Sequence, residues 1–161
     1  MENFNNIQQK IHTQKTIQTQ VETWRNAGKT ITFTNGCFDL LHYGHIHYLA
    51  QAADLADCLV IGLNSDASIR RLKGKQRPIK DQKNRIHILA ALAFVDAVIL
   101  FEEDTPYELI RGIQPDYLVK GGDWQPEQIV GSDIVLAKGG KVLSLPFVQG
   151  YSTTKLVERM N

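Results

Sequence analysis

Two histidines, His42 and His45, flank Gly44 in a turn whose residue types could bind phosphate. The turn follows an alternating, strand-like run at residues 30–34 and precedes apolar residues at helical spacing in 46–53. A strand-to-helix turn directs free backbone N–H groups and the positive end of a helix dipole at one point, which suits an anion. Imidazoles there can donate hydrogen bonds to phosphate oxygens, and Gly44 lets a phosphate approach the backbone.

The histidine pair has two other interpretations. Histidines at a loop edge are often polar residues without a ligand, and two imidazoles close together can also ligate a metal ion. The sequence disfavours the metal interpretation, because no acidic or cysteine partner lies at ligand spacing nearby. We therefore predict no metal ligands among the side chains.

A basic segment follows the next predicted strand and forms a second group of candidate residues. The strand is the apolar run 58–63, which is typical of a strand buried on both faces, and a short helix is predicted at 66–72. The basic segment is Lys73-Gly74-Lys75-Gln76-Arg77-Pro78. Ligands of open α/β sheets bind outside the carboxyl ends of the strands, so this segment is a candidate phosphate site. A run of charges can also be a solvated face.

Arg85 lies in the first turn of a helix predicted at 82–94 and capped by Asp81. A cation is not favoured at a helix N-terminus, which indicates either an anionic ligand or a surface ion pair.

Two later stretches add candidates at the ends of predicted elements. The strand at 117–120 ends in Lys120-Gly121-Gly122-Asp123, where paired glycines permit a ligand to approach the backbone, although an ordinary turn has the same composition. Ser152, Thr153 and Thr154 open the last predicted helix. These hydroxyl residues form either a second anion site or a helix cap.

Length and composition limit the classes of protein to which the chain can belong. The chain has 161 residues, 43% of them hydrophobic, which is enough for one domain with a core. The formal net charge of +1 gives no sign of nucleic-acid binding. Cys37 and Cys58 show no C-x-x-C pattern and fit reduced thiols in the cytoplasm. No apolar run approaches the roughly 18 residues of a membrane helix, and the N-terminus is not signal-like.

Strands alternate with helices five times, which predicts an α/β fold with a doubly wound, five-stranded parallel sheet and helices on both faces. Residues 1–28 are predicted to be an extension with one amphipathic helix at 16–27, and residues 1–15 are expected to be loosely held. The main domain is predicted at 29–161, without a P-loop motif.

The residues around the histidines resemble a known superfamily. Asn35-Gly36-x-Phe38-Asp39, followed by His42-x-Gly44-His45, is similar to the motif of the cytidylyltransferases and adenylyltransferases. Over residues 30–160 the chain also resembles, motif by motif, the adenylyltransferase domains of ADP-heptose synthases. Cytidylyltransferases usually carry Arg-Thr-x-Gly-Ile before Ser-Thr-Thr, whereas this chain has no arginine in 147–151. The resemblance implies a Rossmann-like nucleotidyltransferase fold over residues 29–161.

The resemblance further implies a reaction. The expected activity is transfer of AMP from ATP, with Mg²⁺, to D-glycero-β-D-manno-heptose 1-phosphate, for the lipopolysaccharide core. The alternatives are a CTP-dependent enzyme acting on glycerol 3-phosphate or a similar phosphate, and a non-catalytic nucleotide-binding module. The family also suggests a homo-oligomer. Many of its members are fused behind a sugar kinase, and here we expect the domain to stand alone beside a separate heptose kinase, without a nucleic-acid or membrane partner.

The same resemblance assigns roles to individual residues. The catalytic residues would be His42, His45, Lys73 and Arg77. The nucleotide would contact Asn35, Gly36, Phe38, Gly44, Arg85, Lys120, Gly121, Gly122, Ser152, Thr153 and Thr154. The sugar phosphate would contact Asn64, Asp66 and Arg77.

Overall fold

A single sheet of six parallel strands organises the chain in a computed structural model that describes residues 1–160. The strands are β1 (Ile11–His12), β2 (Ile31–Gly36), β3 (Cys58–Asn64), β4 (Ala97–Phe101), β5 (Tyr117–Gly121) and β6 (Lys141–Leu145). Their order across the sheet is β1-β4-β3-β2-β5-β6. The chain runs outward from β2 to β4 and then returns to β5 on the other side of β2, so the direction of winding reverses between β2 and β5. That reversal is where open α/β sheets bind their ligands.

Helices cover both faces of the sheet. They are α1 (Glu2–Gln9), α2 (Gln14–Asn26), α3 (Tyr43–Ala53), α4 (Asp66–Lys73), α5 (Gln82–Ala90), α6 (Tyr107–Ile113), α7 (Ser132–Ala137) and α8 (Thr153–Met160). One buried cluster joins α2, α6 and α7 to the sheet, through residues such as Ile17, Ile110 and Val135. The other joins α3 and α5 to the opposite face, through Leu49 and Leu89. The predicted doubly wound parallel architecture is therefore confirmed.

The strands follow from their sequences. All seven residues of β3 are buried, as expected for a continuous apolar run between two layers of helices. Asp81 caps α5 as predicted, because its carboxylate accepts a hydrogen bond from the Asn84 backbone N–H at 2.8 Å. Ser152 caps α8 in the same way, accepting from the Lys155 N–H at 3.2 Å.

The N-terminal segment differs from the prediction. Residues 1–15, expected to be loosely held, form α1 and β1, and β1 adds a sixth strand by pairing Ile11 with Val98 of β4. Ile7 and Ile11 pack against the second core cluster, which gives this polar segment its apolar anchors. The predicted extension therefore contains two helices and a strand of the main sheet, while a domain boundary at residue 28 stays a prediction.

Helix α5 ends at Ala90 rather than at residue 94, and residues 91–96 form the turn into β4. Within residues 1–160, no helix combines the length and the apolar character needed to cross a bilayer.

Candidate active site

A cavity of about 500 Å³ opens at the carboxyl ends of β2 and β5, where the winding of the sheet reverses. Predicted site residues line it: Asn35, Gly36, Phe38, His45, Asn64, Lys73, Lys120, Gly121 and Thr153. They converge because β2 and β5 are paired in parallel, with Thr34 beside Val119, so the two strands end at the same edge. The sequence thus predicted most of the polar wall of this cavity.

The two histidines lie between this cavity and a second one. His45 lines the first cavity, whereas His42 lines a neighbouring cavity of about 280 Å³ together with Ser152, Lys155 and Arg159. The two imidazole centroids are 3.9 Å apart. His42 is the N-cap of α3 and His45 lies in its first turn, so both side chains stand at the positive end of that helix. A group bound on the histidine pair would face both cavities.

Both histidines are held in the neutral form. Burial lowers the pKa of His42. Burial, followed by the repulsion that a protonated His42 and Lys73 would exert, lowers the pKa of His45 to about 4. The His45 Nδ1 accepts a hydrogen bond from the His42 backbone N–H at 3.4 Å, so the proton of the neutral ring resides on Nε2. The buried Nδ1 of His42 has no protein partner. The pair therefore offers hydrogen-bonding capacity that a ligand can satisfy.

Phe38 occupies a strained position in the turn before the histidines. Its φ of 44° lies in the left-handed region, which costs a non-glycine residue roughly 1–2 kcal/mol. The strain places the Phe38 ring against His45, with centroids 5.5 Å apart, and against Tyr48 at 6.5 Å. Gly44 leaves room for the His42 ring, because a Cβ at this position would lie 3.0 Å from that ring.

Two lysines supply positive charge to the first cavity. Lys73, the last residue of α4, and Lys120, near the end of β5, both line it. The Lys120 ammonium lies 5.7 Å from the centroid of the Trp124 ring. Burial, followed by the charge of Lys73, lowers the pKa of Lys120, while Cys37 acts in the opposite direction. Neither ammonium forms an ion pair with a carboxylate of residues 1–160.

Arg77 lies outside the wall of that cavity and is paired with Asp39. Its Nη1 donates to the Asp39 Oδ2 at 3.0 Å, and the carboxylate also accepts from the backbone N–H groups of Ile79 and Lys80. Burial alone would raise the pKa of Asp39, but these hydrogen bonds outweigh it and lower that pKa. The sequence did not predict this ion pair, whose two partners are 38 residues apart.

Arg85 is fully buried, with no exposed side-chain surface. Its guanidinium donates to three backbone oxygens, those of Cys37, Asn64 and Lys80, at 2.8–2.9 Å. It also donates to the Asp66 carboxylate at 2.7 Å. The guanidinium is thus enclosed by protein acceptors, and the predicted contact between Arg85 and a phosphate stays a prediction. Arg85 ties the histidine turn, the end of β3 and α4 to Lys80, which lies just beyond the basic segment.

The remaining predicted residues lie around these groups. Asn64 donates from its side-chain amide to the Ser68 hydroxyl at 3.0 Å, and Asp66 is partly exposed beside Arg85. Gly122 has a φ of 122°, and its N–H donates to the Leu145 oxygen at 2.8 Å. Ser152 lines the second cavity, whereas Thr154 lies in α8 outside both cavity walls.

Three aromatic residues of the first cavity were not predicted as site residues. Tyr48 from α3, Trp124 after β5 and Phe147 after β6 all line it. The edge-to-face contact of Tyr48 and Phe147 puts their centroids 6.4 Å apart. Gly121 fits between them, because a Cβ there would lie 3.0 Å from Phe147 and 3.1 Å from Tyr48. Proximity to the Gly121-Gly122 pair was the one signal that could have identified Trp124.

Comparison with known proteins agrees with this geometry. A cytidylyltransferase-like family model matches residues 33–159. The chain is 54% identical over 151 residues to the bifunctional protein HldE of Syntrophotalea carbinolica, covering 94% of this chain and 31% of that protein. It is 50% identical over 153 residues to bifunctional protein HldE of Wolinella succinogenes, with coverages of 95% and 31%. The chain thus spans about a third of the length of these curated relatives.

Solved structures are similar in fold. A lipopolysaccharide core biosynthesis protein from Thermoplasma volcanium is 30% identical with a TM-score of 0.60, covering 78% of this chain and all of that one. Pantoate-β-alanine ligase from Francisella tularensis, 16% identical with a TM-score of 0.56 over 87% of this chain and 73% of its own, shares the fold alone. The superfamily predicted from the motif around His42 is confirmed. The chain belongs to the cytidylyltransferase-like family and is a nucleotidyltransferase.

Proposed function

We propose that this domain transfers AMP from ATP to D-glycero-β-D-manno-heptose 1-phosphate and releases pyrophosphate. The observation that carries the proposal is the position of the histidine pair between two cavities that both carry cationic side chains. Similarity to the HldE proteins, and to a protein described as acting in lipopolysaccharide core biosynthesis, supports the sugar phosphate as acceptor.

The arrangement suits an in-line displacement. An oxygen of the acceptor phosphate attacks the α-phosphorus of ATP, the new P–O bond forms, and the bond to the bridging oxygen of pyrophosphate breaks with its electron pair leaving on pyrophosphate. Attacking and leaving oxygens must lie on opposite sides of the phosphorus. An α-phosphate on His42 and His45 would have the first cavity next to His45 and the second next to His42.

The two cavities differ in what they can hold. The second cavity has Lys155, Arg159 and the N-terminal end of α8 at Ser152, which together suit the departing pyrophosphate. The first is larger and has the aromatic wall, so it would hold the adenosine and the acceptor. Neutral histidines can donate hydrogen bonds to the α-phosphate without charging first.

Mg²⁺ enters this proposal as part of the ATP complex. Among residues 1–160 no three His, Cys, Asp or Glu side chains are grouped to hold a metal ion, and Asp39 at the cavity is already paired with Arg77. ATP phosphates and water would therefore be its ligands. When bound, the ion neutralises charge on the triphosphate.

Two predicted site residues receive supporting roles in this proposal. Arg85 positions the histidine turn and the chain just after the basic segment through its contacts with the backbone oxygens of Cys37 and Lys80. Arg77 is held at the edge of the site by the ion pair of its Nη1 with Asp39. We further propose that the protein assembles as a homo-oligomer, works alongside a heptose kinase and lies in the cytoplasm, where ATP is available.

A matrix of substrates tests the function. Pyrophosphate release is measured for ATP and CTP, each with heptose 1-phosphate and with glycerol 3-phosphate, using wild-type protein and a H42A control. We expect release with ATP and heptose 1-phosphate, at least tenfold faster than with any other pair, and loss of about 10²-fold or more in kcat for H42A. Release with CTP and glycerol 3-phosphate alone would refute the proposal.

A further inference from the structure

Lys120 is a cation without a protein counterion in the centre of the site. It lines the first cavity from the end of β5, next to the end of β2 that leads into the histidine turn. Its ammonium contacts the face of Trp124 rather than a carboxylate. Half-buried charges are normally paired, so an ammonium in this position points to an anionic ligand.

The carboxylates at the cavity are already occupied. Asp39 is paired with Arg77, and Asp104 is paired with Arg71 at 3.0 Å. Lys73 faces the same cavity and likewise has no carboxylate partner among residues 1–160. The cavity therefore holds two like charges whose repulsion an incoming anion would relieve.

The charge of the anion can be deduced from this pair. A phosphate monoester carries about −1.5 to −2 at pH 7, which matches two ammonium groups. The α-phosphate of ATP is a diester-like group with a single negative charge, and the departing pyrophosphate has its own cations, Lys155 and Arg159, in the second cavity. The phosphate monoester left to pair with Lys120 and Lys73 is therefore the phosphate of the acceptor.

We propose that Lys120, together with Lys73, binds the phosphate of the acceptor and restricts the acceptor to phosphate monoesters. This inference rests on the proposed nucleotidyl transfer. Lys120, which the family resemblance assigned to the nucleotide, thereby determines which acceptors are used, while the histidines serve the nucleotide. Trp124 reports on the contact, because an anion at the Lys120 ammonium changes the field over the indole ring 5.7 Å away.

Measuring the KM of the acceptor and the Kd of ATP separately tests the proposal. We compare wild type with K120M, K120R and K141M, the last removing an exposed lysine at the start of β6. For K120M we expect the acceptor KM to rise roughly 10–100-fold, the loss of one charged hydrogen bond, with the Kd of ATP changed less than twofold. K120R should restore the acceptor KM to within about fivefold of wild type, and K141M should behave as wild type.

Two kinetic outcomes would overturn the proposal: an unchanged acceptor KM in K120M, or a tenfold loss of ATP affinity in that variant.

A direct binding measurement tests the Lys120 site independently of the reaction. In a W24F background, whose only tryptophan is Trp124, inorganic phosphate should change the fluorescence, and K120M should abolish that change. Phosphate binding without turnover of ATP and a sugar phosphate would refute the proposed function while leaving the Lys120 site in place. Phosphate binding unaffected by K120M would refute the site.

Discussion

The buried carboxylate of Asp39 accepts a hydrogen bond from the Arg77 guanidinium at 3.0 Å, and its side chain is only 4% exposed. The same carboxylate accepts from the backbone N–H groups of Ile79 and Lys80 at 2.9 Å. Asp39, in the histidine turn, thus fixes Arg77 and the two residues that follow the basic segment, Ile79 and Lys80. The segment between Lys73 and Arg77 has no comparable anchor from this turn.

Substituting Asn for Asp39 should loosen the C-terminal end of the basic segment and the two residues that follow it. The amide keeps one acceptor oxygen but loses the charge that strengthens all three hydrogen bonds, worth about 1.5–3 kcal/mol for a charged acceptor. We expect amide hydrogen exchange at Ile79 and Lys80 to become roughly 10–100-fold faster in D39N. The control is D81N, which should accelerate exchange at Asn84, whose N–H is capped by Asp81, and leave Ile79 unchanged. Equal protection of Ile79 and Lys80 in D39N and wild type would show that the anchor is not Asp39.

We expect activity to require Gly44 because a larger residue would displace the His42 ring, and not because of the backbone conformation at position 44. It lies inside α3, where alanine is favoured over glycine by about 1 kcal/mol. However, an added Cβ would approach the Cε1 and Nδ1 of His42 to 3.0 and 3.1 Å. We expect G44A to lose at least tenfold in kcat/KM with an unchanged or higher Tm.

A double-mutant cycle isolates the cause in G44A. If the lost activity comes from displacement of His42, adding G44A to H42A should cause little further loss. Additive losses in the double variant would instead show that the added methyl group acts on the backbone or on the bound ligand, independently of His42.

The neutral histidines predict how stability depends on pH. The folded pKa of His45, about 4, lies below the ordinary histidine pKa of 6.5, so between these values the unfolded chain binds more protons than the folded protein. Stability should therefore fall as the pH drops from 6.5 toward 4. At pH 5.5 the contribution of His45 is on the order of 1 kcal/mol. Urea unfolding at pH 7.5 and 5.5 should show a smaller loss in H45Q than in wild type, and identical losses would mean that His45 is not neutral in the fold.

The sequence predicted what depends on local pattern. Five strands and the turn at His42 follow from apolar runs and from glycines at strand ends, and parallel strands necessarily bring Lys120 and His45 to one edge. Strand β1 could not be predicted, because two residues of a polar segment have no periodicity, and only pairing with β4 makes them a strand. Helix α5 was predicted too long because residues 91–94 are apolar without a helix-breaking residue.

The contacts of charged side chains could not be predicted for a related reason. Arg85 appeared as a cation at a helix N-terminus, and only the folded chain shows that carbonyl groups from Cys37 and Asn64 surround it. Asp39 and Arg77 are distant in sequence, so no local pattern joins them. A basic residue near a strand end can bind a ligand or hold the loops around it, and that choice depends on tertiary contacts.

The measurement that tests the central claim most directly is the ratio of kcat/KM for ATP to that for CTP, with saturating heptose 1-phosphate and fixed Mg²⁺. Adenine and cytosine differ in size and hydrogen-bonding edges, and backbone groups of Gly121 and Phe147, which line the cavity, would be left unpaired by the wrong base. Each unpaired buried group costs about 1–3 kcal/mol, so we predict a preference for ATP of at least tenfold. A preference for CTP, or use of glycerol 3-phosphate as efficiently as heptose 1-phosphate, would contradict the assignment.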